Sequence, residues 1–384
     1  MSRAEPAPGT LGALALVELR ALARAIGAEH HAPRWAAAFA DLAAPCAWWR
    51  RPAAAPPLPS GVSHRRPFSF SITLDGVTLD SVTLDSVTLD SVTLDGVTLD
   101  ASPPQLRFFL EAQAEPPSAD AYWRAGAAVT ARMAAQGADL GRLRAVEDLF
   151  VPTDPRAPFR VWHGGIFTPK GAPIFKIYLC AAAQGRAAAR PNLQRALDRL
   201  SPGWTLPDLD RPGLDEWTIL SLDLAPDTLA RIKLYLLQRD VGLDALERLY
   251  ALGRDSAPFA SLDPALLVDG LLGPEGRRPL WWLSCLHHTP LDAAPTGCAI
   301  HLPLQRHLPR DDAARRLHAL AEDLRVDPTP LRAALDALPA GCDGLHFASL
   351  QRIGDQARIT AYFAPRRPDD RPTPRPAAPQ DGDP

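Results

Sequence analysis

Two short segments set Lys against Tyr two residues apart: Phe175-Lys176-Ile177-Tyr178-Leu179 and Arg231-Ile232-Lys233-Leu234-Tyr235-Leu236. The choice of Lys is informative, because only Lys170, Lys176 and Lys233 interrupt a set of 41 basic residues that is otherwise all Arg. A third Tyr, among only five, closes a similar run, Ile359-Thr360-Ala361-Tyr362-Phe363. In a strand alternate residues share a face, so Lys176 stands with Tyr178, and Arg231 with Lys233 and Tyr235. The opposite faces carry Phe, Ile and Leu. Ammonium and guanidinium groups fixed beside phenol donors are the chemistry of a phosphate site held inside a sheet.

Such faces need strands to carry them, and the chain offers five hairpin-like pairs. These are Phe68–Ile72 with Leu106–Glu111, Phe159–Ile166 with Ile174–Leu179, Thr218–Leu224 with Ala230–Leu237, Leu280–His287 with Gly297–Leu304, and Gly344–Gln351 with Ala357–Ala364. Helical patterns separate them at Ala119–Gln136, Pro191–Leu200, Leu243–Leu252, Asp311–Leu324 and Pro328–Leu338, with Pro or Gly at their edges. Two further helices, Leu11–Ile26 and Pro33–Trp49, come first. This order predicts an α+β fold: ten antiparallel strands closed into a barrel, ringed by helices, with a wide central lumen. Several strands repeat the two-faced pattern, among them Ser69, Ser71 and Thr73 against Phe68, Phe70 and Ile72, and Arg107, Phe109 and Glu111 against Leu106, Phe108 and Leu110. With helices on the apolar faces, the polar faces must line the lumen. Glu111 shares its face with Arg107 and is expected to pair with it.

The 384 residues, 46% of them hydrophobic, suffice for a large core, and residues 1–364 read as one barrel domain. Residues 365–384, rich in Pro, Asp and Arg, read as a disordered tail. A net charge of −3 excludes a general attraction to nucleic acid or anionic membrane. Five scattered Cys without a CxxC pair argue against a disulfide framework or zinc site and for a reducing cytoplasm. No signal or transmembrane segment is expected, since the apolar run from Leu11 breaks at Glu18 and Arg20.

Between Thr73 and Asp100 the pentad TLD(G/S)V recurs. An odd period flips successive copies to opposite faces of a strand, so no half-buried strand results. Excising five copies leaves FSFSITLDASPPQLRFFLEA, a complete hairpin. The repeat therefore reads as an inert insertion (residues 73–100) in the first hairpin, cheap in closure entropy.

The segments PFSFS, LRFFLEA, VWHGG with FKIYL, ARIKLYLL, CAIHLPL and RITAYF, in this order, resemble the dimethylallyltryptophan synthase family of aromatic prenyltransferases, bacterial members above all. The resemblance spans about Pro33 to Pro365 apart from the insertion. It implies the ABBA-type prenyltransferase barrel and transfer of a dimethylallyl group from dimethylallyl diphosphate to an indole, tryptophan or a derivative of it. Ionising an allylic diphosphate releases an anion that needs fixed cations, while Tyr rings shield the allyl cation from water. Carried over by position, Arg107, Lys176, Tyr178, Arg231, Lys233, Tyr235 and Tyr362 form this cage, His301 falls where relatives place a diphosphate-contacting Tyr, and Trp162 borders the acceptor pocket. No DDxxD-type metal motif is present, and Asp311-Asp312 reads as a helix cap. Magnesium and other cofactors are accordingly not expected, and the partners implied are the prenyl diphosphate and an aromatic acceptor, in a monomer or homodimer.

One position departs from the family pattern. Where the family carries a Glu that engages the indole N–H, Pro67-Phe68-Ser69-Phe70-Ser71 places Ser69, whose hydroxyl is no base unaided. Either another base substitutes, or the acceptor needs none, or activity is weak or lost. His163 lies near the family's proton-relaying Lys and, with an ordinary pKa of ~6.5, is a candidate acceptor of the proton. A core histidine is the alternative. The rival functions are a phenol or tyrosine prenyltransferase of the same fold and a non-catalytic barrel that only binds.

Overall fold

The computed structural model describes residues 6–59, 66–76, 104–169, 172–208, 215–226, 230–241, 280–289, 295–304, 308–339, 344–353 and 356–364, with single residues at 248, 252 and 271. The expected helix at 243–252 apart from residues 248 and 252, the pentad repeat beyond Gly76, Lys170 and the C-terminal tail lie outside these residues.

The alternating segments form ten strands: β1 (Phe68–Asp75), β2 (Gln105–Glu111), β3 (Val161–Ile166), β4 (Ile174–Cys180), β5 (Asp215–Asp223), β6 (Ile232–Val241), β7 (Leu280–His288), β8 (Gly297–Leu302), β9 (Gly344–Ile353) and β10 (Gln356–Ala364). Each pairs antiparallel with its sequence neighbours, and β1 pairs with β10 (Ser71 opposite Tyr362), so the sheet closes as a ten-stranded barrel. The first Thr-Leu-Asp of the pentad repeat is part of β1, with Thr73 Oγ1 2.8 Å from Thr360 Oγ1 across the strand pair. Closure leaves no unpaired edge to template aggregation.

Helices pack on the outer faces: α1 (Leu11–Ala25), α2 (Ala32–Ala43), α3 (Ala119–Ala135), α4 (Gly141–Val146), α5 (Arg186–Leu200), α6 (Arg310–Asp323) and α7 (Thr329–Ala337). Thr10 caps α1 and Ser118 caps α3, each accepting from a backbone N–H three residues on. The predicted helix 33–49 ends at Ala43 and is followed by a 3-10 turn over Ala47–Arg50. Helix α5 starts at Arg186 and carries Pro191 inside it. Asp311 and Asp312 do not cap α6. They sit in its first turn behind Pro309, a place where carboxylates suit the helix dipole.

The core is the shell between barrel and helices. Fully buried Phe39 of α2 meets Phe70 of β1 and Phe108 of β2 at ring separations of 5.3 and 5.6 Å. Trp48 stacks on Phe68 at 5.2 Å and donates from Nε1 to the Glu111 carbonyl at 2.9 Å. Close approach of α3 to β3 requires Gly126, where an added Cβ would lie 2.3 Å from Val161.

Candidate active site

With Phe, Ile and Leu turned to the helices, the other face of every strand turns inward. The lumen is a cavity of about 460 Å³ lined, among others, by Ser69, Ser71, Arg107, Trp162, Lys176, Tyr178, Lys233, Tyr235, His301 and Tyr362. Nine of the eleven predicted site residues line this cavity, Arg231 adjoins it through an ion pair, and His163 is placed elsewhere. The polar faces therefore line a lumen and not an outer, water-facing sheet.

One end of the lumen is cationic. Strand register brings Lys176 opposite Asp223, and Ser221 between Tyr178 and Lys233. Lys176 Nζ donates to Asp223 Oδ1 at 2.8 Å, and Arg231, which immediately precedes β6, donates from Nε to Asp223 Oδ2 at 3.0 Å. Arg231 reaches the group through this contact and is not itself part of the cavity lining. Arg107 Nη2 donates to Gln105 at 3.2 Å, while its buried Nε has no partner. Arg358 completes the group and pairs with Asp75 (Nη2 to Oδ2, 2.9 Å). Among the described residues five cations are thus set against two carboxylates, and no hydrogen bond or ion pair engages Lys233. Burial, together with Lys176 and Arg231, pushes the Lys233 ammonium well below its ordinary pKa. Burial likewise lowers Lys176 to about 8, although Asp223 opposes the shift. An arrangement that makes its own charges costly is stabilised by an incoming polyanion.

Next to the cations runs an aromatic belt. Ring centroids step from Trp162 to Phe109 (5.2 Å), Tyr178 (6.2 Å), Tyr235 (6.2 Å), His301 (5.7 Å) and Tyr362 (5.9 Å). Gly164 makes room for it, since a Cβ there would lie 2.9 Å from the Phe108 carbonyl and 3.2 Å from the Tyr178 ring. Burial raises the pKa of all three tyrosines, so each remains a phenol able to donate. His301 holds Nδ1 3.1 Å from the Leu283 carbonyl and Nε2 3.4 Å from the Tyr362 hydroxyl. The carbonyl fixes the proton on Nδ1, and burial lowers the pKa to about 3, so His301 serves as a neutral acceptor for Tyr362.

At the other end, Ser69 lines the lumen beside Phe109. The carboxylates near this end are engaged. Glu111 accepts from Trp162 Nε1 at 3.1 Å and Gln113 Nε2 at 3.0 Å, in place of the expected pairing with Arg107, which four strand residues set too far along the wall. Glu216 bridges Arg186 and Arg239, each at 3.2 Å. Phe159, expected within a strand, precedes β3 and stacks on Trp162 at 3.7 Å.

His163 corrects the sequence reading. It follows Trp162 on one strand, so the pleat turns it to the opposite, outer face. There it is fully buried beneath α3, with Nε2 2.9 Å from Thr130 Oγ1 and Nδ1 without a partner. Burial lowers its pKa to about 3, so it is a neutral core residue and no proton relay to the lumen. A histidine whose folded pKa lies below its unfolded value contributes stability that is full above about pH 6.5 and lost as pH falls. At 1.36 kcal/mol per pH unit this amounts to roughly 2–3 kcal/mol by about pH 4.5. Urea unfolding followed between neutral and acid pH will show this decline, shallower by one proton in His163→Leu.

Asp223, Asp75, Gln351 and His287 were not expected in the site. Asp223 carried a legible signal, since it alternates with Leu222 and Leu224 in a strand facing Lys233. Gln351 Nε2 lies 3.3 Å from His287 Nδ1, joining β9 to β7 within the lumen wall. Among the described residues no three His, Cys, Asp or Glu side chains converge as a metal site, and no helix is long and apolar enough to cross a membrane.

A closed ten-stranded antiparallel barrel, helix-wrapped and carrying a cationic, tyrosine-belted lumen, is the prenyltransferase barrel. No family model matches the sequence, and no curated protein matches it. Among solved structures the chain is similar to 5-dimethylallyl tryptophan synthase from Streptomyces coelicolor in complex with DMASPP and Trp, at 24% identity and a TM-score of 0.75, covering 96% of this chain and 98% of that one. It is similar to 6-dimethylallyltryptophan synthase from Micromonospora olivasterospora at 25% identity, TM-score 0.76, over 92% and 97% of the two chains. Similarity extends to AnaPT from Neosartorya fischeri at 16% identity, TM-score 0.71, over 95% and 96%. The chain has the fold of the dimethylallyltryptophan synthases.

Proposed function

We propose that this protein is an aromatic prenyltransferase that moves a dimethylallyl group from dimethylallyl diphosphate to an indole acceptor, tryptophan or a derivative, without a metal ion. One observation carries the reading: Arg107, Lys176, Lys233 and Arg358 converge in a closed lumen against a belt of three protonated tyrosines and a neutral histidine. The cations receive the diphosphate, so that when the allylic C–O bond breaks, its electron pair leaves on an oxygen already surrounded by positive charge. Ring faces of Tyr178, Tyr235 and Tyr362 stabilise the allyl cation and keep water from it. An electron-rich ring carbon of the acceptor then forms the new C–C bond, and its ring proton passes to the diphosphate anion released in the first step. The cationic wall supplies the charge a metal would otherwise bring. The bound DMASPP and Trp in the Streptomyces structure support the pairing of donor and acceptor. Four described cysteines, all free and buried, support a reducing compartment such as the cytoplasm.

Ser69 favours a second reading, in which the acceptor is a phenol. With Glu111 and Glu216 both engaged, the acceptor end presents a hydroxyl where an indole N–H would seek a carboxylate. Dimethylallyl diphosphate in EDTA raises the melting temperature if the cage is competent, by about 2.7 kcal/mol of stability at ~100 times its Kd. An unchanged melting temperature contradicts the donor assignment for both readings.

A further inference from the structure

Of the two carboxylates set among the cations of this cage, one is shared between two of them. Asp223, at the end of β5, is 5% exposed and joins two elements, accepting from Lys176 of β4 and from Arg231 ahead of β6. Among the described residues the groups that face it or its lysine are cationic or neutral: Lys176, Arg231 and Lys233 around the carboxylate, Arg107 near Lys176, and Tyr178, Cys285 and His287 beyond. A surface ion pair would be dispensable, but a carboxylate this deep persists only because it is fully paired. Its two oxygens are divided between two partners, and among the described residues Lys233, opposite Ser221 two residues along, has no hydrogen bond or ion pair.

We propose that Asp223 is a positioning residue, a resident counter-ion of the cage, which holds Lys176 in the wall and Arg231 next to it and leaves Lys233 and Arg107 to meet the incoming anion. This deepens the prenyltransferase reading and rests on it. Burial opposes ionisation of Asp223, but Lys176, Arg231 and Lys233 outweigh it and keep the carboxyl well below the usual range. In return Asp223 sustains the charge of Lys176 against burial. Removing its charge therefore has a signature that mere loss of packing lacks. Lys176 gives up its proton at lower pH, and anion binding becomes more sensitive to alkali.

Inorganic pyrophosphate titrated into the full-length protein by calorimetry tests this at about pH 6.5 and about pH 8.5. The native protein binds more weakly at the higher pH. In Asp223→Asn the ratio of the two affinities rises about ten-fold or more, the result of moving one lysine pKa by at least a unit. Asp223→Glu, which keeps the charge, stays within about three-fold of the native ratio. An Asp223→Asn ratio equal to the native one overturns the assignment. Should that variant not fold, Lys176→Gln carries the test: its ratio falls below the native ratio, and an unchanged ratio overturns the assignment. Failure of the native protein to bind pyrophosphate at either pH overturns the diphosphate reading of the cage, and this assignment with it.

Discussion

Replacing Lys233 by Ala will lower kcat/KM for dimethylallyl diphosphate by roughly 100- to 1000-fold, the cost typical of removing one preorganised group that meets developing negative charge. Lys233 is 8% exposed, lines the lumen, stands beside Lys176 and Arg231, and among the described residues feels the Asp223 carboxylate without a hydrogen bond or ion pair to it. Its ammonium is costly in the empty barrel and gains its partner only when the anion arrives. Two outcomes therefore separate in one variant. Steady-state kinetics will show the loss in Lys233→Ala, while the melting temperature of the empty protein will be no lower than native, because a buried amine crowded by Lys176 and Arg231 has been removed. A variant that loses activity and stability together would show that Lys233 holds the fold and does not serve the anion.

Phe39→Ala will do the reverse. Phe39 is fully buried and touches rings from three directions, Trp49, Phe70 and Phe108, so it fastens α2 to the outer faces of β1 and β2. Truncating a buried Phe costs about 3–5 kcal/mol in lost burial and residual cavity. The denaturation midpoint will fall accordingly. Activity per folded molecule at low temperature will stay near native, since Phe39 is on the far side of the sheet from the lumen. These two residues divide the molecule as the strand pleat divides it, with the inner face for chemistry and the outer face for cohesion.

That division was legible in the sequence because a strand has a period of two. Lys176 and Tyr178, Lys233 and Tyr235, and Ser69 and Ser71 each share a face by spacing alone, and helices between hairpins leave only one side for the polar set. The five hairpins were found in their order, and closure of β1 on β10 follows from ten antiparallel strands with covered faces. What escaped depended on relations no spacing reports. Asp223 joins Lys176 and Arg231 through the register of three strands, and register is fixed by side-chain packing across the whole barrel. The start of α5 was set at Pro191, but tertiary packing carries the helix back to Arg186. His163 is a different case, since the rule that placed Trp162 inward already excluded its neighbour. Reading it as a lumen residue followed the family position and not the pleat. The short helix α4 has too few residues to show a helical period. Ser69 was read as a departure, and the structure adds that Glu111, two positions along the neighbouring strand face, is occupied by Trp162.

Mass spectrometry tests the central claim most directly. Purified protein is incubated with dimethylallyl diphosphate and EDTA, in parallel with tryptophan, simple indoles, tyrosine and simple phenols. The account predicts an acceptor heavier by one C5H8 unit with release of diphosphate, formed in the absence of free metal and abolished or nearly so in Lys233→Ala. An indole product names the first reading and a phenol product the second. Absence of any prenylated product across the panel, from protein that dimethylallyl diphosphate does not stabilise, would contradict the account and leave a barrel that does no prenyl transfer.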